Sequence, residues 1–360
     1  MVVLGLVGCN ATMGGRALVS DRTSSMIPGA SSAADTREVV VSVRGLVKRY
    51  HDFEAVSGID LEIRRGEIFG FLGPNGAGKT TTIECIVGLR KPSEGTISVL
   101  GLDPARDRCE FNSRVAVQPQ SASLFDTLTV VETLRLFASF HRASRDPEEI
   151  MSLVGLDGQR GVRTKRLSGG QSRRLLLGVA LVADPEIVVL DEPSAGLDPL
   201  ARQNLWSLIS ELRQRGTTVL LSTHHMDEAT TLCSRVAILV RGRVVALDAP
   251  DELIRQRSAQ STVSFTIPTI ANLDGVARLA KTSTIEHHEV QDGIRVTMVT
   301  SDPDQILRAI TFDPSITARE FTVHKGSLED ILLELADRGE AAGERKRDPR
   351  SGAKKGEPTT

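Results

Sequence analysis

Ile68-Phe69-Gly70-Phe71-Leu72-Gly73-Pro74-Asn75-Gly76-Ala77-Gly78-Lys79-Thr80-Thr81 joins an uninterrupted apolar run to a glycine-rich loop and then to a helical stretch. The apolar run reads as a strand buried on both faces. The loop fits G-x-x-x-x-G-K-[ST]. Its glycines let the backbone turn its N–H groups inward around phosphate oxygens. Lys79 brings a point charge to β- and γ-phosphates, and Thr80 offers a hydroxyl to Mg²⁺. The helix expected from Thr81 points its positive end at the same place. Gly73, Pro74, Asn75, Gly76, Ala77, Gly78, Lys79, Thr80 and Thr81 are therefore candidate nucleotide contacts.

Downstream the same texture recurs. Ile187-Val188-Val189-Leu190, Thr217-Thr218-Val219-Leu220-Leu221 and Val236-Ala237-Ile238-Leu239-Val240 are further apolar runs, separated by helical stretches such as Leu200 to Arg215. Upstream, Val39 to Val43 and Ile59 to Ile63 read as strands. Buried strands alternating with helices imply an α/β domain with a largely parallel sheet. The run at Ile187 ends in Asp191-Glu192. Asp191 is placed to hold Mg²⁺, directly or through water, and Glu192 to polarise an attacking water as general base.

The 360 residues allow two or three domains. A net charge of −2 and 3% aromatic content argue against a nucleic-acid partner, which needs a basic field or stacking platforms. The four cysteines form no C-x-x-C pair, so reduced thiols are expected rather than a disulfide framework or structural zinc. No stretch has the ~20 mostly apolar residues of a membrane span. Residues 1–38 are rich in Gly, Ser, Ala and Thr without periodicity and read as a disordered leader. Leu6-Val7-Gly8-Cys9 has the outline of a lipoprotein cleavage box but lacks the basic segment before it.

After Arg257 the pattern changes. Strand, helix, two strands around Gln291-Asp292-Gly293, helix, strand and a last helix over Ser327 to Asp337 follow one another. That order, β-α-β-β-α-β plus a helix, is the ferredoxin-like one. Leu328, Ile331, Leu332 and Leu335 share one helical face and are expected to close a small core. Residues 338–360 read as a disordered basic tail. His287-His288 lacks ligand spacing, and the Arg64-Arg65 and Arg173-Arg174 pairs read as surface charge.

Leu167-Ser168-Gly169-Gly170-Gln171 opens a second helix. Its free N–H groups and the Ser168 hydroxyl make a second anion site. One chain thus carries two phosphate-binding helix starts, and their order over residues 39–257 resembles the ATP-binding cassette (ABC) family, in which this pentapeptide is the signature. The resemblance implies a P-loop NTPase cassette with a helical signature subdomain, followed by the small α+β domain over 258–337. It implies ATP and Mg²⁺ as ligands. It also implies a head-to-tail homodimer in which each ATP lies between one chain's Gly73–Thr80 loop and the other's Ser168, Gly169, Gly170 and Gln171. Gln120 resembles the glutamine that contacts Mg²⁺ and faces a transmembrane partner, with Gln118 as the competing candidate. Asp198 resembles the aspartate that bridges the two sites, and His224 the switch histidine that senses the γ-phosphate. Tyr50 resembles the aromatic that stacks on adenine, the alternative being a structural tyrosine.

The segment from Gln120 to Phe140 and the ending Gly326 to Asp330 look like multidrug exporters of the daunorubicin-resistance type. The resemblance then implies an ATP-hydrolysing subunit at the cytoplasmic membrane face, peripheral through a separate permease. A soluble ABC ATPase that remodels a protein partner is the other reading.

Overall fold

The computed structural model describes residues 37–257, 261–269, 275–276, 284–290, 292–300, 302–313, 316–324, 326–333 and 335. The leader and the basic tail expected from the sequence lie outside these residues, apart from residues 37 and 38. The chain divides into two compact units at Val245/Ala246, ahead of the Arg257 boundary expected from the change in pattern.

In chain order the first unit and its junction run β1 (Val39–Tyr50), β2 (Phe53–Arg64), β3 (Ile68–Leu72), α1 (Lys79–Ile86), β4 (Glu94–Val99), α2 (Arg108–Arg114), β5 (Val115–Gln118), α3 (Val130–Ala138), α4 (Pro147–Leu153), α5 (Gly169–Leu181), β6 (Ile187–Asp191), α6 (Pro199–Gln214), β7 (Thr218–Thr223), α7 (Met226–Leu232), β8 (Arg235–Val240), β9 (Arg243–Asp248) and α8 (Pro250–Arg257). β1 and β2 form a long antiparallel hairpin that ends at the Tyr50–Phe53 pair, and β4 extends it on the β1 side. Both hairpin strands outrun the segments legible in the sequence. The register shifts between Val43 and Leu46 and between Lys48 and Arg49, and each bulge breaks the apolar/polar alternation that marks a strand.

The main sheet has the order β5-β6-β7-β3-β8-β9. From β5 through β8 every recorded pairing is parallel. All residues of β3, β6 and β7 are buried, the apolar runs at their centres together with the polar ends Asp191, Thr218, Ser222 and Thr223. β3 comes first in sequence yet lies between β7 and β8, so the chain leaves it on a crossover. The crevice outside the carboxyl end of such a strand is where α/β sheets bind ligands.

Helices α3, α4 and α5 pack on one another. Their starts are set locally: Thr129 and Glu132 form a capping box on α3, Asp146 caps α4, and Ser168 and Gln171 form a second box on α5. They close around Gly178, where a Cβ would stand 3.3 Å from both Ile150 and Leu134. Leu175, Leu176 and Leu177 are buried, in keeping with the apolar run there. No helix of the described residues is long and apolar enough to cross a membrane.

The second unit contains β10 (Ser261–Ile267), β11 (Thr284–Val290), β12 (Gly293–Thr300), a helix over Pro303–Phe312 and β13 (Arg319–His324). The strands pair antiparallel in the order β11-β12-β10-β13. Val263, Phe265 and Ile267 of β10 join Val296 and Met298 of β12 and Ile306 and Ile310 of the helix in one core. The helix expected over 272–281 falls outside the described residues except at 275 and 276, so the complete β-α-β-β-α-β order stays an expectation. Leu328, Ile331, Leu332 and Leu335 are all buried. Cys85 and Cys233 are buried free thiols.

Leu190 is fully buried in β6 between β5 and β7. Leu190→Ala removes its side chain from a site with no room to collapse and is expected to cost about 2–5 kcal/mol. Urea unfolding followed on Trp206 fluorescence should show a lower midpoint with an unchanged slope.

Candidate nucleotide site

Four adjacent parallel strands end at one edge of the main sheet. β3 runs into Gly73–Gly78, β6 ends at Asp191 with Glu192 next, β7 leads into His224, and β5 leads through Pro119 to Gln120. The pairings Leu72↔Thr223, Asp191↔Ser222 and Gln118↔Leu190 keep those ends level. Residues far apart in sequence are therefore brought together by strand register alone.

The shape of the loop is set by its packing against neighbouring backbone. Gly78 has φ 99° and caps α1, and a Cβ on it would stand 2.6 Å from the Ala55 carbonyl oxygen. A Cβ on Gly73 would overlap the Leu239 carbonyl. Helix α1 starts at Lys79, two residues ahead of the Thr81 start expected. Lys79 is buried, and its Nζ donates to the Gly73 carbonyl at 2.8 Å and the Pro74 carbonyl at 3.2 Å. The same Nζ stands 3.5 Å from Glu192 Oε1. His224 Nδ1–H donates to the other Glu192 oxygen, Oε2, at 2.7 Å. Glu192 is thus held from both sides, one oxygen by the phosphate-loop lysine and one by the histidine. Its backbone sits at φ 50°, a left-handed conformation that costs a non-glycine residue of order 1–3 kcal/mol and clusters at functional sites.

Asp191 faces Thr80 and Ser222. Thr80 Oγ1 donates to Asp191 Oδ1 at 3.3 Å, and the Ser222 hydroxyl makes a short bond to the same oxygen. Burial pushes the Asp191 carboxyl above the ordinary carboxylate range, opposed by those two hydrogen bonds and reinforced by the Glu192 charge beside it. A carboxyl pushed up by burial, with a threonine hydroxyl opposite, is a donor set that suits a hard divalent cation. Ser222 also accepts from the Glu192 backbone N–H at 3.0 Å and so ties both carboxylates to β7. The sequence reading missed it. Its role comes from the pairing of β6 with β7, which no local pattern encodes.

A cavity of about 650 Å³ opens here, lined by Tyr50, Asn75, Lys79, Thr80, Gln120 and Glu192 among others. Of the two glutamines left open, Gln120 lines this cavity. Gln118 ends β5, and both polar atoms of its buried side chain are without a hydrogen-bond partner among the described residues. Tyr50 stands at the hairpin end with Lys48 Nζ 5.1 Å and the Arg90 guanidinium 5.6 Å from its ring centre. Phe53, its cross-strand neighbour, is exposed on the same cavity.

Ser168, Gly169, Gly170 and Gln171 do not line this cavity. The Ser168 hydroxyl accepts from the Gln171 N–H at 3.3 Å, and Gln171 Oε1 accepts from the Ser168 N–H at 3.0 Å. Asp198 is exposed and caps α6 by accepting from the Ala201 N–H at 2.9 Å. The Arg173-Arg174 pair is half-buried and tied to backbone carbonyls rather than free surface charge. Arg173 donates to the Gln120 carbonyl at 3.1 Å and Arg174 to the Val154 and Gly155 carbonyls, and burial holds both guanidiniums below their ordinary pKa. Both arginines lie in the first turns of α5, which packs inward rather than lying free on the surface.

Gly78→Ala is expected to raise the free energy of the loop conformation by at least about 1–2 kcal/mol, the left-handed penalty alone. ATP titration should show a matching loss of affinity of about tenfold or more. Tyr50→Ala should weaken ATP binding by about 1–3 kcal/mol if the ring stacks on the base, with Tyr50→Phe restoring it. An unchanged affinity for Tyr50→Ala would mark a structural tyrosine.

The ABC transporter family model matches residues 56–195, which run from β2 past the two carboxylates. The chain is 34% identical to the Nod factor export ATP-binding protein I of Burkholderia orbicola (strain AU 1054), over 83% of this chain and 97% of that protein. It is 36% identical to the protein of the same name from Rhizobium meliloti (strain 1021), over 87% of this chain and 91% of the relative. Among solved structures, an ATP-binding subunit of an ABC transporter superposes with a TM-score of 0.55 at 30% identity, covering 60% of this chain and 92% of its own. Part of the cbiONQ complex of Clostridium perfringens, cbiO1, superposes with a TM-score of 0.54 at 28% identity, covering 61% and 94%. Likeness of this extent, over nearly the full length of the relatives, shows that the chain belongs to the ABC transporter family, as one of its ATP-binding subunits.

Proposed function

We propose that this ATPase subunit drives export through a separate permease, working as a head-to-tail homodimer with ATP between one chain's phosphate loop and its partner's Ser168–Gln171. The relatives named for Nod factor export support the direction of transport. The daunorubicin-type segments noted in the sequence support a drug or antibiotic as cargo. The lack of a spanning helix among the described residues is compatible with peripheral attachment at the cytoplasmic membrane face through the permease. The two-unit division supports an accessory role for the C-terminal domain, in dimer stability or permease contact.

The observation that carries the catalytic reading is the placement of Glu192, with Lys79 on one carboxylate oxygen and His224 on the other at the mouth of the loop. Glu192 is the general base for the attacking water. Lys79 and the loop N–H groups bind and orient the phosphates. His224 holds the base and is placed to sense the γ-phosphate. Thr80, Asp191 and Gln120 would hold Mg²⁺, which when bound neutralises charge on the phosphates. Asp198 and the signature residues act on the partner's nucleotide, and Tyr50 on the base.

Glu192→Gln keeps the shape and removes the base, so hydrolysis should fall by about 10²–10⁴-fold while ATP binding persists. Light scattering should then show an ATP-dependent dimer, since nucleotide that is not hydrolysed stabilises the closed pair. Near-normal hydrolysis by Glu192→Gln would eliminate it as the base. Lys79→Ala should lose ATP binding itself, measured by equilibrium titration.

A further inference from the structure

Glu228 lies on α7 and is fully buried, a costly position for a carboxylate. One of its oxygens, Oε1, takes a bond from the Trp206 indole Nε1 at 3.0 Å and a short bond from the Ser194 hydroxyl. Trp206 Nε1 also lies 3.1 Å from Ser194 Oγ, so the three groups close a triangle. The second oxygen, Oε2, has no hydrogen-bond partner among the described residues. A second tie runs beside the first: Arg202 on α6 pairs with Asp227 on α7 at 3.2 Å.

The segments joined in this way are the ones that carry the chemistry. Ser194 is two residues past Glu192 in the turn where the Ala195 N–H bonds back to the Glu192 carbonyl at 3.2 Å. Trp206 and Arg202 lie on α6, the helix that Asp198 caps. Glu228 follows His224 by four residues, on the helix that begins at Met226. The Glu228 contacts tie α7 directly to the loop after Glu192, and the Arg202–Asp227 pair ties it to the helix that follows that loop.

We propose that Glu228 is a positioning residue. Through Ser194 and Trp206 it fixes the 193–198 loop against α7, and so sets the spacing between the base Glu192 and the switch residue His224. This rests on the catalytic reading of Glu192 given above. Glu228 touches no substrate. Its effect is on the alignment of the base, where a misplacement of about 1 Å can cost as much as 10²-fold.

Trp206 is the sole tryptophan, so its emission reports the triangle directly. Full-length Glu228→Ala is expected to shift that emission to the red. It should lower kcat for ATP hydrolysis by about tenfold while leaving KM for ATP within about twofold, the split expected of lost alignment. Glu228→Gln keeps an acceptor for both donors and should recover most of kcat. A red-shifted Glu228→Ala protein with unchanged kcat overturns the proposal, as does a rise in KM that accounts for the whole loss or a Glu228→Gln variant no better than the alanine. If Glu228→Ala does not fold, Ser194→Ala carries the test, because it leaves the Trp206–Glu228 bond. A several-fold fall in its kcat at constant KM supports the proposal, and wild-type kcat overturns it. Glu192→Gln in the same assay separates the two levels. If that variant hydrolyses ATP normally, the catalytic reading fails, whereas a dead Glu192→Gln beside an unaffected Glu228→Ala rejects the positioning role alone.

Discussion

Two buried carboxylates at the end of one strand set the terms for everything around them. Asp191 and Glu192 are each about 5% exposed, so their charge must be met largely by protein donors. An uncompensated charge there would be prohibitive. The fold answers with four donors from three elements: Lys79 and Thr80 from the start of α1, Ser222 from β7 and His224 from the segment after β7. Each donor stands where it does because β3, β6 and β7 are parallel neighbours in fixed register. A slip of one residue would turn every side chain of a strand to the opposite face. The unbroken apolar strands that bury the sheet are thus also what holds the site.

The site is braced from behind. The Ser194–Trp206–Glu228 triangle and the Arg202–Asp227 pair join the loop after β6 to the helix after β7, so the two strand ends are linked on both sides of the carboxylates. On the other flank, Arg173 reaches from α5 to the Gln120 carbonyl and connects the signature helix to the loop after β5. Polar side chains held between secondary elements in this way act as fasteners, although Arg202 Nε and Glu228 Oε2 are left without a hydrogen-bond partner among the described residues.

Much of this was legible in the chain. The phosphate loop, the carboxylate pair and the signature each combine a local chemical pattern with a local structural cue, a buried strand before or a helix after. What was not legible depends on contacts between distant segments. Ser222 carries no local signal, and only the pairing of β7 with β6 brings it to Asp191 and Glu192. Nothing local marks Glu228 either, because its partners Ser194 and Trp206 lie in another part of the sequence. The arginines after the signature were taken for surface charge, since nothing local says which side of α5 faces inward. The bulges in β1 and β2 hid half of each strand by breaking the alternation that strands are recognised by.

The glycine loop leaves one thermodynamic mark. Its backbone is wedged between the Ala55 and Leu239 carbonyls, with Lys79 already folded over the Gly73 and Pro74 oxygens. A backbone held in this way by its own packing has little conformational freedom, so little conformational entropy is left to lose on contact with a phosphate. The enthalpy released can then go into affinity rather than into ordering the chain.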